Sequence, residues 1–233
     1  DDICLIQPEK RLFIVADGMG GHLDGHKAAL IAASNLTGHF DPKNPHTLLE
    51  GVHKAHHAVY KANEETKREI REEERRGVRY SDEAKQQAMM GTTLTALHIE
   101  NNGMAHIAHV GDTRVYLLRK NVISTTLQQL TTDHSLPGKQ NVLVQAIGIE
   151  KSIDPQYKKV QAKDGDIFFL CSDGINKHVT DRKIKDTLIE FARGKITHSE
   201  VIRHLIKTAN ENGGSDNSTA LVVKVKMPKA QQA

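Results

Sequence analysis

Four aspartates in this chain stand where a buried strand gives way to a turn. Asp17 ends the apolar run Arg11–Ala16 and precedes Gly18. Asp112 sits in the tight turn VGDTR. Asp173 closes IFFLCSD and again precedes a glycine. Asp216 lies in the glycine-rich turn GGSDN, just before the last apolar run, TALVVKV. An Asp beside a Gly is by itself ordinary turn chemistry. Four acids, each at the lip of a strand, point further. Strand ends on one edge of a sandwich converge in space, and converging carboxylates repel unless cations neutralise them. An all-oxygen donor set suits the hard cations Mg²⁺, Mn²⁺ or Ca²⁺.

The elements that must hold these acids are legible in the hydrophobic pattern. Arg11–Ala16 is a short continuous apolar run and is predicted as a buried strand. KAALIAASNL is predicted as a helix with a closely packing small-residue face. A second helix starts near Pro45, with Leu48, Val52, Ala55, Val59 and Ala62 forming one buried stripe. It runs into NEETKREIREEERR, where Glu64–Arg68 and Glu72–Arg76 are i,i+4 pairs, and Gly77 stops it. That charged stretch is a projecting helix end or a mobile insert. From Gly91 the period changes to strands: TTLTALHIE, MAHIAHV, RVYLLR, then IFFLC and TALVVKV. Asn101-Asn102-Gly103 reads as a hairpin turn. Helices over roughly Asp181–Phe191 and His198–Asn210 precede the last strand. Antiparallel strands with helices paired near each end predict an α+β sandwich with strands in the middle layers.

Composition sets the outer bounds. The chain has 233 residues, with 32 Lys+Arg against 29 Asp+Glu, a net charge of +3. That balance offers no basic footprint for nucleic acid. Two cysteines, Cys4 and Cys171, make neither a disulfide framework nor a CxxC zinc site. No apolar run is long enough to cross a bilayer, and DDICLIQPEK lacks the pattern of a signal peptide. A cytoplasmic protein is therefore expected. The 14 histidines invite a metal-protein reading of their own.

FIVADGMGGH, GTT, HVGDTRVY, LTTDHSL, AIG, FLCSDG and GGSDNST occur in the order found in the metal-dependent protein phosphatases of type 2C (PPM). The chain resembles that family over nearly its whole length, and most closely its bacterial branch, which carries DGMGG. The resemblance implies a four-layer αββα sandwich: two antiparallel sheets flanked by helix pairs, with residues 1–226 as one catalytic domain and residues 227–233 as a tail. It implies a protein serine/threonine phosphatase with a binuclear Mn²⁺ or Mg²⁺ centre, phosphorylated proteins as substrates and a Ser/Thr kinase as counterpart. Asp17 would bridge both ions, and the Gly18 carbonyl would ligate the second. Asp173 and Asp216 would ligate the first, and Asp112 would serve a third. Asp1 matches the family's upstream acid, which contacts metal-bound waters, and Asn217 would lend support from behind.

The chemistry is consistent with that assignment. Two metals acidify a bridging water, hold the phosphoryl oxygens and offset developing charge, so the hydroxide attacks in line with no covalent intermediate. There is no Cys-x5-Arg nucleophile motif. His22, just past DGMGG, is the candidate general acid for the leaving Ser/Thr oxygen. Two departures stand out. The family's phosphate-binding Arg lies upstream of the position that Asp1 matches, before the first residue of this sequence, so it is not assigned, while Arg114 is expected to brace the Gly-Asp-Thr-Arg turn. Only PGKQNVLVQ separates Leu136 from Ala146, so the substrate-facing flap is trimmed, or residues are missing there.

Other patterns carry less. Gly18-x-Gly20 lacks the third glycine of a dinucleotide fingerprint, since Leu23 stands there. His53, His56 and His57 have zinc-like spacing but no zincin Glu, and are expected on a solvated helix face. His22 and His26 share that i,i+4 spacing. His106 and His109 should point to opposite faces of a strand, and Cys171 should be a core thiol. The run Glu64–Arg76 is a solvated face, with partner docking as the alternative. Two rival functions remain at this stage. One is a catalytically weak or inactive phosphoprotein-binding module on the same fold; the other is a different metallohydrolase such as a nuclease.

Overall fold

In the computed structural model, which describes residues 1–19, 22–136 and 138–227, the strands and helices alternate in groups. The chain opens with β1 (Ile3–Gln7), β2 (Leu12–Ala16) and the short β3 (Gly18–Met19). Then come α1 (His22–His39), α2 (Thr47–Arg75) and α3 (Asp82–Gln87). A run of strands follows: β4 (Gly91–Thr92), β5 (Leu94–Ile99), β6 (Met104–Val110), β7 (Arg114–Lys120), β8 (Thr125–Gln129), β9 (Ser135–Leu136), β10 (Lys139–Leu143), β11 (Gln156–Gln161) and β12 (Ile167–Cys171). The one-turn α4 (Asp173–Asn176), α5 (Asp181–Ala192), α6 (His198–Glu211) and β13 (Ala220–Lys224) complete it.

One sheet has the order β1-β2-β5-β6-β11 and the other β13-β12-β7-β8, with every pairing antiparallel. Period-2 alternation gives each sheet two apolar faces. On β2, Leu12, Ile14 and Ala16 turn to α1 and α2, whose Ala28, Ala29, Ala32, Val52 and Val59 close the first core. Val15 turns the other way, into the core between the sheets, with Leu97, Ile107, Val115, Leu117, Phe168 and Leu170. Tyr116, Leu118, Phe169 and Cys171 then face α5 and α6 through Ile184, Leu188, Val201 and Leu205. Three cores between four layers make the αββα sandwich.

The apolar stripe of α2 is buried as its spacing requires, and beyond it the helix projects as a charged end. Glu64 pairs with Lys67 at 2.8 Å rather than with Arg68. The chain then folds back as α3, capped by the Ser81 hydroxyl and tied to α2 by Lys85–Glu74 at 2.6 Å. His56 corrects one expectation. His53 and His57 are exposed, but His56 is buried, and its Nδ1 accepts the Gly148 N–H at 3.1 Å. Two turns further along α2, Asn63 Nδ2 donates to the carbonyls of Met90 and Gly148, and Asn63 Oδ1 accepts from Met90 N–H. These bonds clamp the AIG segment against α2. That segment bridges in turn to β4 through Thr92 and Ile147.

Candidate metal centre

The second core strand, β2, delivers Asp17 to the edge of the sandwich, and the GTT segment fixes it there. The Asp17 N–H donates to Thr93 Oγ1 at 2.9 Å. The Asp17 carbonyl accepts from Thr93 N–H at 2.8 Å and from the Thr92 hydroxyl at 2.9 Å. Thr93 also meets the Thr113 hydroxyl at 2.7 Å, which links Asp17 to the turn bearing Asp112. Gly18 is needed because its backbone lies against α1: a Cβ there would stand 2.2 Å from the Gly25 carbonyl oxygen.

The Asp112 turn is held from the other side by LTTDHSL. Gly111 N–H donates to His134 Nδ1 at 3.2 Å, and His134 N–H donates to the Gly111 carbonyl at 2.8 Å. Arg114 makes a forked pair with Asp133, its shortest bond 2.6 Å, and donates to the Tyr116 hydroxyl. Arg114 therefore braces the turn by way of Asp133. After this segment β10 pairs antiparallel with β9, and Val144 N–H returns to the His134 carbonyl at 2.8 Å.

Asp173 and Asp216 come from paired strands. Ser172 N–H donates to the Thr219 carbonyl and Ser172 Oγ accepts from Thr219 N–H, so the ends of β12 and β13 are locked together. Asn217 N–H donates to Asp216 Oδ1 at 2.8 Å, and Asn217 Oδ1 accepts from the Asp1 amino nitrogen at 2.7 Å.

Sequence reasoning missed one acid here. In the β1–β2 register Ile3 faces Ala16, so one step further sets Asp2 opposite Asp17 and Asp1 opposite Gly18. The Asp17 carboxyl is pushed up to about 9, first by burial, then by the charges of Asp2, Asp173 and Asp216. Four acids thus act on one another at this edge, and Asp2 rather than Asp1 supplies the carboxyl against Asp17. Asp112 is 7% exposed, and burial followed by the charge of Asp173 pushes it up to about 6. Lys177 was also missed. Its Nζ bonds Asp173 Oδ2 one helical turn away, a pairing that the spacing of DGINK could have signalled. Gly20, Gly21 and the His22 side chain lie outside the described residues, although His22 opens α1.

Both Asp2 carboxylate oxygens and Asp173 Oδ1 are buried with no hydrogen-bond donor. Buried carboxylate oxygens without a donor need a proton or a cation. The oxygen-only set fits a hard divalent ion. Charge is gathered here without closed coordination: among the described residues no three His, Cys, Asp or Glu side chains stand ready to chelate one ion. The fold and this edge define a class of enzyme, metal-assisted hydrolases in which carboxylates at sheet ends hold the cations.

Comparison with known proteins narrows the class. The sequence model of the family Protein phosphatase 2C matches residues 1–221, and the chain belongs to that family. It is 34% identical to a serine/threonine phosphatase named stp from Listeria welshimeri, over 91% of this chain and 84% of that protein. Its fold is similar to the crystal structure of the Mycobacterium tuberculosis serine/threonine phosphatase PstP/Ppp. The TM-score is 0.76 at 27% identity, covering 97% of this chain and 92% of that one. A structure of the PstP catalytic domain in complex with two manganese ions matches with a TM-score of 0.75 at 27% identity, covering 97% and 91%.

Proposed function

We infer that this chain is a metal-dependent protein serine/threonine phosphatase that hydrolyses phosphoserine and phosphothreonine with water and forms no covalent phospho-enzyme. The observation that carries this reading is the meeting of Asp17, Asp2, Asp173 and Asp216 at one edge of the sandwich, with carboxylate oxygens that lack donors. Membership of the Protein phosphatase 2C family supports it.

Asp17 and the Gly18 carbonyl, Asp173 and Asp216 would hold two Mn²⁺ or Mg²⁺ ions, with Asp2 or Asp1 turned to their waters, Asn217 supporting Asp216, and Asp112 toward a third ion. When bound, these ions supply Lewis acidity that neutralises phosphoryl charge and acidifies water. The chain's own residues do the rest. Thr92 and Thr93 hold the Asp17 backbone still, and Ser172 with Thr219 sets the spacing of Asp173 and Asp216. His22 gives its proton to the departing Ser/Thr oxygen; its place at the start of α1, five residues after Asp17 in the chain, supports that role.

Residues 1–226 work as one catalytic domain, a reading supported by the family match over 1–221. Phosphoproteins are the substrates, and a Ser/Thr kinase acting on the same proteins is the counterpart. No helix among the described residues is long and apolar enough to cross a membrane. The two free thiols, Cys4 and Cys171, are in keeping with a reducing cytoplasmic setting.

The test is Mn²⁺-dependent hydrolysis of an aryl phosphate and of a phosphothreonine peptide. Wild-type protein should turn over both, chelator should stop it, and Asp173→Asn should fall to background. Wild-type protein inert with Mn²⁺ on both substrates would refute the enzyme reading.

A further inference from the structure

A cavity of about 680 Å³ opens beside the metal edge, between the far half of α2 and α3, and the metal assignment makes no use of it. Met19, Asn63, Lys67, Gln86, Met89 and Ile149 line it. Its near wall begins one residue from Gly18, because β3 pairs with β4 so that Gly18 faces Thr92 and Met19 faces Gly91. Gly91 makes that wall possible: a Cβ there would stand 2.8 Å from Ile149 Cδ1 and 3.1 Å from Met19 Cγ. The two apolar side chains thus converge over bare backbone. Asn63 fixes the floor through its bonds to Met90 and Gly148. The opposite wall is α3, which has no buried residue. A smaller hollow of about 280 Å³ shares Lys67, Gln86 and Met89 with the first and continues along α2 to Ile70.

The chemistry of the walls selects an occupant. Met19, Met89 and Ile149 offer apolar contact. The lysines at the margin are spent, Lys67 on Glu64 at 2.8 Å and Lys85 on Glu74 at 2.6 Å. Glu83 is exposed at the rim and repels an acidic group. Gln86 and Gln87, exposed beside it, carry amide donors and acceptors that suit a peptide backbone. We propose that this cavity is a substrate subsite: it takes an apolar side chain of the phosphoprotein close in sequence to the phosphorylated residue, with Met19, Met89 and Ile149 setting the preference and Glu83 turning acidic residues away. The proposal rests on the phosphatase reading and names the sequence class that this phosphatase favours. An extended segment advances about 3.3–3.6 Å per residue, so a phosphorylated residue held at Asp17 and Gly18 brings a neighbour roughly one to three places along into the cavity. Methionine adapts its shape to different apolar groups, so the preference is for a class of side chain rather than for one residue.

The experiment compares kcat/KM of Mn²⁺-loaded protein on phosphothreonine peptides that carry Leu, Asn or Asp at one of the positions flanking the phosphothreonine. An aryl phosphate serves as the substrate too small to reach the cavity. At one position Leu should exceed its polar isostere Asn by about tenfold, and Asn should exceed Asp. Ile149→Asp should bring the Leu-to-Asn ratio close to one while leaving the aryl phosphate rate unchanged. Glu83→Gln should close only the gap between Asn and Asp. Circular dichroism confirms folding, and Ile149→Ser replaces Ile149→Asp should that variant fail to fold. Equal rates on the Leu and Asn peptides at every position would overturn the subsite, and so would an Ile149 variant that keeps the full preference. Equal losses on aryl phosphate and peptides would place Ile149 in the framework of the metal edge and overturn it too. A wild-type chain inert on the aryl phosphate would overturn the phosphatase reading itself, an outcome separate from these.

Discussion

A Cβ on Gly174 would stand 2.0 Å from the Asn217 carbonyl oxygen, a backbone atom that has nowhere to go. Gly174→Ala should therefore push the Asp216–Asn217 loop away from Asp173. We expect a loss of about 1–3 kcal/mol in urea unfolding together with weaker Mn²⁺ binding. Unchanged metal affinity would show that the two loops are not set by this contact. His22→Ala should slow turnover of a phosphothreonine peptide far more than that of an aryl phosphate, whose leaving group needs no proton. Equal losses would remove His22 as the acid. The histidines inside the fold make a different prediction. Burial holds the imidazole of His109 down to about 3, assisted by His134 and opposed by Asp133, and lowers His56, His98 and His134 in the same sense. The folded chain keeps these rings neutral, while the unfolded chain takes up protons below about pH 6.5. Their contribution is whole above that pH and is lost as pH falls, for His109 toward 3. His109→Gln does not titrate, so its stability gap from wild type should narrow between about pH 7 and pH 5 in urea unfolding. A gap constant with pH would contradict a neutral His109. Asp17, Asp112, Asp173 and Asp216 were legible because each punctuates an apolar run. Asp2 and Lys177 were not, because one depends on a strand register and the other on a helical turn of four residues. His56 was misread because α2 buries more than its aliphatic stripe.

At the scale of elements, the strands that sequence made plain are those with continuous apolar runs, β2, β5, β6, β7 and β12, all interior to their sheets, together with β13. β1, β8 and β11 went unseen. They are half-exposed edge strands, β8 and β11 are rich in polar residues, and pairing makes all three strands. Missing β1 also hid Asp2, so one error at the element scale produced the other at the site. The longer helices were clearer from their composition and apolar stripes, while the short α3 and α4 went unread. Thr197 and Glu200 form a reciprocal capping box at the start of α6. α6 closes the third core, so Thr197→Ala should cost about 1 kcal/mol of global stability in denaturant unfolding. By contrast, Ser81→Ala should speed amide exchange within α3 and leave the sheets untouched, because α3 has no buried residue. A drop in global stability from Ser81→Ala would show that α3 is bound into the core.

For the whole molecule, the four layers explain why acids so far apart in sequence meet. Both sheets are antiparallel, and the end of β2, the turn into β7, the end of β12 and the approach to β13 open on one edge. Local negative charge is thereby concentrated inside a chain whose overall balance is +3. Of the 14 histidines, which first suggested a metal protein, His98, His106 and His109 are buried on the strands and His56 on α2. The metal centre proposed above is built from carboxylates at strand ends. The measurement that tests this most directly is an anomalous diffraction map from crystals grown with Mn²⁺. The account predicts two manganese peaks beside Asp17, one ligated by Asp173 and Asp216 and the other by the Gly18 carbonyl. An edge without manganese, or manganese held instead by histidines such as His53 and His57, would contradict it.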